Sequence, residues 1–237
     1  MSENKKIIVT GGTRGIGRAI ALRFAQEGWD TAVCGRSESN LAAFGRELPH
    51  QEGNHHILQT ADLAVKNDVE SFAETVVGAW GSVDVLVNNA GVFLPGELLH
   101  EQEGTLEQLL ASNLMSTYHM CRKVVPQMVQ RGSGSVFNIC STASLTAYPN
   151  GGSYGISKFA QLGLTKNLRE ELKEKNIGVT AIIPGATLTD SWSASELPES
   201  RFVDPEHLAD LVFQMAGMHP RSLVEEIVIR PQLGDIA

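Results

Sequence analysis

Thr10-Gly11-Gly12-Thr13-Arg14-Gly15-Ile16-Gly17 follows the apolar run Lys6–Thr10 and opens a helical pattern over Gly15–Glu27. Glycines between a strand and a helix permit a tight turn. They also let backbone N–H groups approach a pyrophosphate at the positive helix terminus. The stretch therefore reads as the first turn of a nucleotide-binding βαβ unit. Its spacing departs from the common fingerprint: three residues separate Gly11 from Gly15, and one separates Gly15 from Gly17.

Outward from this turn, apolar β-type runs alternate with helical patterns. Strands are expected at Lys6–Thr10, Thr31–Cys34, His56–Gln59, Val83–Asn88, Ser135–Cys140, Val179–Ile183 and Val224–Ile229. Helices are expected at Gly15–Glu27, Glu38–Leu48, Val65–Trp80, Thr105–Gln130 with a bend near Pro126, and Gly152–Glu174, with another opened by Asp204-Pro205 as cap and first-turn proline. Strands that are almost wholly apolar are buried on both faces, as in a parallel sheet between helices. The expected fold is α/β: one Rossmann domain over residues 1–237, with a doubly wound, seven-stranded parallel sheet flanked by helices on both faces. The polar segment 188–203, which carries Trp192, is the one candidate lid.

Composition narrows the functional classes. A net charge of −8 argues against non-specific nucleic-acid binding. No apolar run reaches the length of a membrane span, and the first residues leave no room for a signal peptide. Cys34, Cys121 and Cys140 are odd in number and widely spaced, which fits free buried thiols in a reducing, cytoplasmic setting. The seven histidines lack metal-ligand spacing, so no metal is expected.

Further along, the acid that would bind a ribose 2′-hydroxyl about 20 positions past the glycine turn is missing. Gly35-Arg36-Ser37 stands there instead. Arg36 and Arg14 together can face a 2′-phosphate, or both are ordinary surface arginines; the former favours NADP(H) over NAD(H). Asp62-Leu63 can meet an adenine amino group, or Asp62 can cap the next helix. Asn88-Asn89-Ala90-Gly91 leaves space beside a cofactor, and its amides can hold neighbouring backbone. Tyr154 and Lys158 lie four apart on one helix face, where an ammonium favours the phenolate and lowers the tyrosine pKa. Ser141 lies thirteen residues ahead of Tyr154.

Taken in order, TGGTRGIG at 10–17, DL at 62–63, NNAG at 88–91, Asn113, Ser141, YGISK at 154–158 and PGATLT at 184–189 make the chain resemble the short-chain dehydrogenase/reductase family over its full length. The resemblance implies Tyr154 as proton donor or base, and Lys158 as the residue that lowers its pKa and holds the nicotinamide ribose. It implies Ser141 at the substrate oxygen and Asn113 supporting a water chain to Lys158. Without the resemblance, Asn113 is a buried polar residue bonded to backbone and Ser141 a strand-end cap. Pro184, Gly185, Thr187 and Thr189 would fix the nicotinamide carboxamide. Phe93, Ala143, Tyr148 and Trp192 would meet the substrate.

The middle of the chain resembles the 3-oxoacyl-carrier-protein reductases, whose acidic carrier would dock on basic residues such as Arg131 and Lys175. The terminal Glu226-Ile227-Val228-Ile229-Arg230-Pro231-Gln232-Leu233 departs from that group's glycine-rich end. The headline expectation is therefore an NADP(H)-dependent carbonyl reductase. The alternatives are an acyl-carrier-protein reductase, a 3-hydroxy-acid dehydrogenase, or an NADP(H)-binding sensor without turnover. Family habit implies a homodimer or homotetramer paired through the long helices.

Overall fold

The first strand, β1 (Lys6–Thr10), is buried along its whole length, and its side chains alternate between two cores. Ile7 and Val9 join Phe24, Phe44 and Leu208 on one face of the sheet, while Ile8 joins Phe72, Val76, Met120 and Val124 on the other. Successive strand residues point to opposite faces, so a strand covered on both sides has no place for a polar alternation. This is the physical reason for the continuous apolar runs in the sequence.

A computed structural model of the chain describes residues 4–49, 53–193, 195–219 and 221–236. Six more strands follow β1: β2 (Asp30–Gly35), β3 (Ile57–Thr60), β4 (Val85–Asn88), β5 (Gly134–Ile139), β6 (Ile177–Pro184) and β7 (Glu226–Ile229). They form one seven-stranded sheet in the order β3-β2-β1-β4-β5-β6-β7, with every pair parallel. The helices are α1 (Gly15–Gln26), α2 (Glu38–Glu47), α3 (Lys66–Trp80), α4 (Thr105–Leu109), α5 (Ser116–Arg131), α6 (Gly152–Leu172) and α7 (Pro205–Ala216). Two cores, one on each face, make this the doubly wound α/β fold expected. Chain order reverses between β1 and β4, and a crevice opens there beyond the carboxyl ends of the strands.

Most element ends fall within a residue or two of the expected limits. The long helix is the exception. A π-helical turn at Leu110–Met115 separates α4 from α5, while Pro126 remains inside α5. The departure from α geometry thus lies upstream of the proline. The hydroxyls of Ser116 and Thr117 donate to the carbonyls of Ser112 and Asn113, 2.6 and 3.5 Å away, the kind of back-bonding that loosens a helix. Asn113 sits in this wide turn, fully buried.

Among the described residues no helix is long and apolar enough to cross a membrane, and no group of His, Cys, Asp and Glu is arranged to hold a metal. Cys34, Cys121 and Cys140 are free and buried.

Candidate active site

A cleft of about 700 Å³ runs along the carboxyl ends of the strands, lined by the residues that follow β1 to β7. Its nucleotide half is built mainly from backbone. Helix α1 begins with no side chain capping it and no acid in its first turn, so its free N–H donors and positive end are left for an anion. Gly17 lies against the strand opposite: a Cβ there would fall 2.3 Å from the Asn89 amide nitrogen and 2.6 Å from the Gly11 carbonyl. Asn89 in turn donates to the carbonyls of Thr10 and Gly11 at 3.0 and 3.1 Å. The hydroxyl of Thr10, the first residue of the glycine-rich motif, accepts from the backbone N–H groups of Asn89 and Ala90. Gly11, Thr13, Arg14, Gly15, Ile16, Arg36, Asp62, Leu63, Asn89, Ala90 and Gly91 all line the cleft.

Two of these residues have partners that bear on their expected roles. Asp62 does not cap α3, whose N-cap is Val65; its carboxylate accepts from the Ala64 N–H at 3.0 Å. Arg14, exposed at the cleft, pairs at 2.8 Å with Asp190, on the segment after β6. The polar sequence around Asp190 gave no local sign of this partner. Arg36 stays exposed at the rim of the cleft.

The chemical groups meet where β4, β5 and α6 converge. Ser141, two residues past β5, caps a 3-10 turn over Thr142–Ser144, its hydroxyl accepting from the Ala143 N–H at 3.2 Å. Tyr154 and Lys158 rise from the first turns of α6. Both ionisable groups are crowded by protein, and burial decides their titration. It pushes the Tyr154 phenol up to about 12, against a smaller opposing pull from the Ser141 hydroxyl. It pulls the Lys158 ammonium down to about 8. The phenol pKa is therefore raised, not lowered as expected from the Tyr–Lys spacing, with desolvation the largest cause. Lys158 Nζ donates instead to the Ile139 carbonyl at 2.9 Å and to Gln161 Oε1 at 2.8 Å. Gln161 was legible in principle, three residues along the same helix face.

Asn113 Oδ1 accepts from the Val92 N–H at 2.7 Å, while its Nδ2 donates to the Val92 carbonyl at 3.0 Å and Ser157 Oγ at 2.9 Å. The amide therefore clamps the chain after β4 against α6, the backbone-bonded role that the residue type alone allowed. It lies near Lys158 all the same. A Cβ on Gly91 would sit 3.1 Å from Asn113 Oδ1 and 3.7 Å from Lys158 Nζ.

The outer half of the cleft is walled by side chains. Phe93 meets the Tyr154 ring edge-on with centroids 4.8 Å apart, and lies within 28° of parallel to Trp192 at 6.2 Å. Trp192 continues to Phe202 at 5.4 Å. Ala143, Tyr148, Pro184, Gly185, Thr187 and Thr189 also line the cleft, Thr189 close enough to Gly15 that a Cβ there would fall 2.9 Å from its methyl. The segment 188–203 is tied at its base, where Leu188 N–H donates to the Val203 carbonyl and Val203 N–H to the Ala186 carbonyl, each at 2.9 Å. Of its described residues, Thr189, Asp190, Ser191 and Trp192 line the cleft, and two 3-10 turns form at Asp190–Trp192 and Glu199–Arg201. Arg131 and Lys175 do not line the cleft of their own chain. Each ends a helical segment that leads into the amino end of a strand, and Arg131 pairs with Asp84 at 3.1 Å.

Residues 5–199 match the short chain dehydrogenase family. The chain is 32% identical over 224 residues to the 3-oxoacyl-[acyl-carrier-protein] reductase FabG of Staphylococcus epidermidis, a match covering 90% of this chain and 92% of that protein. It is also 32% identical over 238 residues to the sepiapterin reductase of Chlorobaculum tepidum, covering 97% of each. Among solved structures, the alcohol dehydrogenase of the archaeon Thermococcus sibiricus, complexed with 5-hydroxy-NADP, superposes with a TM-score of 0.90 at 26% identity, over 99% of this chain and 100% of that one. A match over most of the chain, on a cleft that brings Ser141, Tyr154 and Lys158 together, identifies an oxidoreductase of the short-chain dehydrogenase/reductase family.

Proposed function

We propose that the chain is an NADP(H)-dependent oxidoreductase that transfers hydride reversibly between the nicotinamide and a ketone or secondary alcohol, with Tyr154 as acid/base. The observation that carries this reading is the convergence of Ser141, Tyr154 and Lys158 at the inner end of a cleft whose other end suits a dinucleotide. An uncapped α1 terminus fits a pyrophosphate, and Arg36, with no acid in the ribose position, fits a 2′-phosphate. The archaeal alcohol dehydrogenase in complex with 5-hydroxy-NADP supports the same cofactor class.

Gly11, Thr13, Gly15, Ile16 and Gly17 would hold the pyrophosphate, Arg36 with Arg14 the 2′-phosphate, and Asp62 and Leu63 the adenine. Asn89, Ala90 and Gly91 would pack beside the ribose, Lys158 would bind it, and Pro184, Gly185, Thr187 and Thr189 would fix the carboxamide. When bound, the cofactor supplies the hydride. The protein supplies alignment, donors and a proton. Tyr154, with its pKa pushed up to about 12, is protonated at neutral pH, the state a donor to a carbonyl oxygen requires. Ser141 adds a second hydroxyl where negative charge develops. Oxidation of an alcohol needs the phenolate, so it gains from alkaline pH.

Phe93, Trp192 and Tyr148 give the substrate an apolar wall. The cationic side chains of the cleft are largely engaged: Arg14 with Asp190, Arg230 with Asp235, and Lys158 with Ile139 and Gln161. A neutral ketone flanked by an apolar or flat group fits this end best. A 3-oxoacyl thioester is the second reading, supported by the FabG relative. Exposed Met115, Tyr118, Ile156 and Phe159 on the helices around the site support pairing of two copies, and the buried free thiols support a reducing, cytoplasmic setting. The test is NADPH oxidation with neutral alkyl and aryl ketones, sepiapterin, a 3-oxo acid and an acetoacetyl thioester. Turnover of the neutral ketones is expected; turnover of the thioester alone would replace the first reading with the second. Tight NADPH binding with no turnover anywhere would leave a sensor.

A further inference from the structure

The helix that carries Tyr154 and Lys158 does not cap itself. Its N-cap, Gly151, offers no side chain, and Gly152 follows in the left-handed region at φ 36°. The missing partner comes from the loop after β4. Glu101 Oε1 accepts from the Ser153 backbone N–H at 2.9 Å, and the Ser153 hydroxyl donates to Glu101 Oε2. A carboxylate at this end of α6 satisfies a donor that the helix leaves free and complements its dipole.

The fit is close from every side. A Cβ on Gly152 would fall 2.1 Å from Glu101 Oε1 and 2.5 Å from the Gly96 carbonyl, so only glycine admits the carboxylate here. Gly96 also donates its N–H at 2.9 Å to the carbonyl of Asn150, itself held at φ 60°. A backbone bond of 3.0 Å from Glu101 N–H to the Glu97 carbonyl sets the turn that presents the side chain. Ser153 is buried and directly precedes Tyr154. The same loop places Phe93 against the Tyr154 ring. The tyrosine is thus held by one segment at its ring and at its backbone.

We propose that Glu101 is a positioning residue for proton transfer: through Ser153 it fixes the first turn of α6 and so the aim of the Tyr154 hydroxyl toward the oxygen that Ser141 also faces. This rests on the carbonyl-reductase reading above. Glu101 touches neither the nucleotide half of the cleft nor the reacting groups, so its loss acts through placement alone. Displacements near 1 Å cost on the order of 100-fold in rate.

The test compares wild type, Glu101→Ala and Glu101→Gln. It measures kcat and KM for a neutral ketone, NADPH affinity, and amide hydrogen exchange across α6. Glu101→Ala is expected to exchange faster at the start of α6 only, to lose roughly 10- to 100-fold in kcat, and to keep its NADPH affinity within about twofold. Glu101→Gln keeps an acceptor for the Ser153 N–H, and the Ser153 hydroxyl can turn to accept, so it restores kcat to within a few-fold. An Ala variant with wild-type kcat overturns the assignment alone. So does one whose NADPH affinity falls together with its kcat, or a Gln variant as slow as Ala. A wild type that binds NADPH but reduces no ketone overturns the functional reading first, and this assignment with it.

Discussion

The two ends of the cleft are built from different material. The nucleotide end is made of backbone held by short-range structure: a strand end, a glycine turn, a helix terminus, and Asn89 bonded to the carbonyls of Thr10 and Gly11. The substrate end is made of side chains on the long connections 89–104, 140–151 and 185–204, brought together across the chain as in the Phe93–Tyr154 and Phe93–Trp192 contacts. On the function proposed above, one half would recognise a ligand common to a whole family and the other an individual substrate. Backbone amides and a helix terminus bind phosphate whatever side chains surround them. An aromatic wall changes with every substitution.

If the ends are separable, variants should affect one and spare the other. The largest selective effect is expected at Arg36. Arg36→Asp removes a charged hydrogen-bond donor from the rim and should weaken NADPH by roughly 10- to 100-fold, from about 1.5–3 kcal/mol, while leaving NADH little changed. Titration of both cofactors by fluorescence measures this, and equal losses would remove Arg36 from the 2′-phosphate site.

Lys158 stands between the ends, and its response should have two opposite signs. Burial holds it at about 8, below the ordinary lysine value of 10.5. From about 8 to 10.5 the unfolded chain therefore binds more protons at this site than the folded one, and its contribution to stability rises with pH. Affinity for the anionic cofactor should move the other way, falling as the ammonium is lost near 8. Thermal unfolding and NADPH binding, followed from pH 7 to 9.5 in wild type and Lys158→Met, test both slopes. A mutant that keeps either slope would show that another group causes it.

The smallest effect is expected at Trp192, on the candidate lid. Trp192→Ala gives up stacking that contributes about 0.5–1.5 kcal/mol, so KM for an apolar ketone should rise about two- to tenfold with NADPH affinity unchanged. A matching loss of NADPH affinity would mean that the Arg14–Asp190 pair makes the lid part of the nucleotide end.

This division also explains what was legible in the residues. Strands buried on both faces and helices of period 3.6 are local patterns, so all seven strands and the nucleotide turn could be read directly. The position of Ser141, Tyr154 and Lys158 at strand and helix ends followed from the motif order. What escaped depends on partners far along the chain: Asp190 for Arg14, Glu101 for Ser153, and Val92 with Ser157 for Asn113. The π-helical turn at Leu110–Met115 leaves no composition signal, whereas Pro126, the one visible helix breaker, lies inside α5. For Tyr154, a four-residue spacing places an ammonium nearby but says nothing about burial, and burial sets the direction of the shift.

The proton-donor role of Tyr154 is tested most directly by steady-state turnover of Tyr154→Phe beside its NADPH affinity. The substitution removes one hydroxyl and leaves the ring against Phe93. Turnover should fall by about 10²–10⁴-fold with NADPH binding within about twofold of wild type. A Tyr154→Phe enzyme that reduces ketones at close to the wild-type rate would assign the proton to another group.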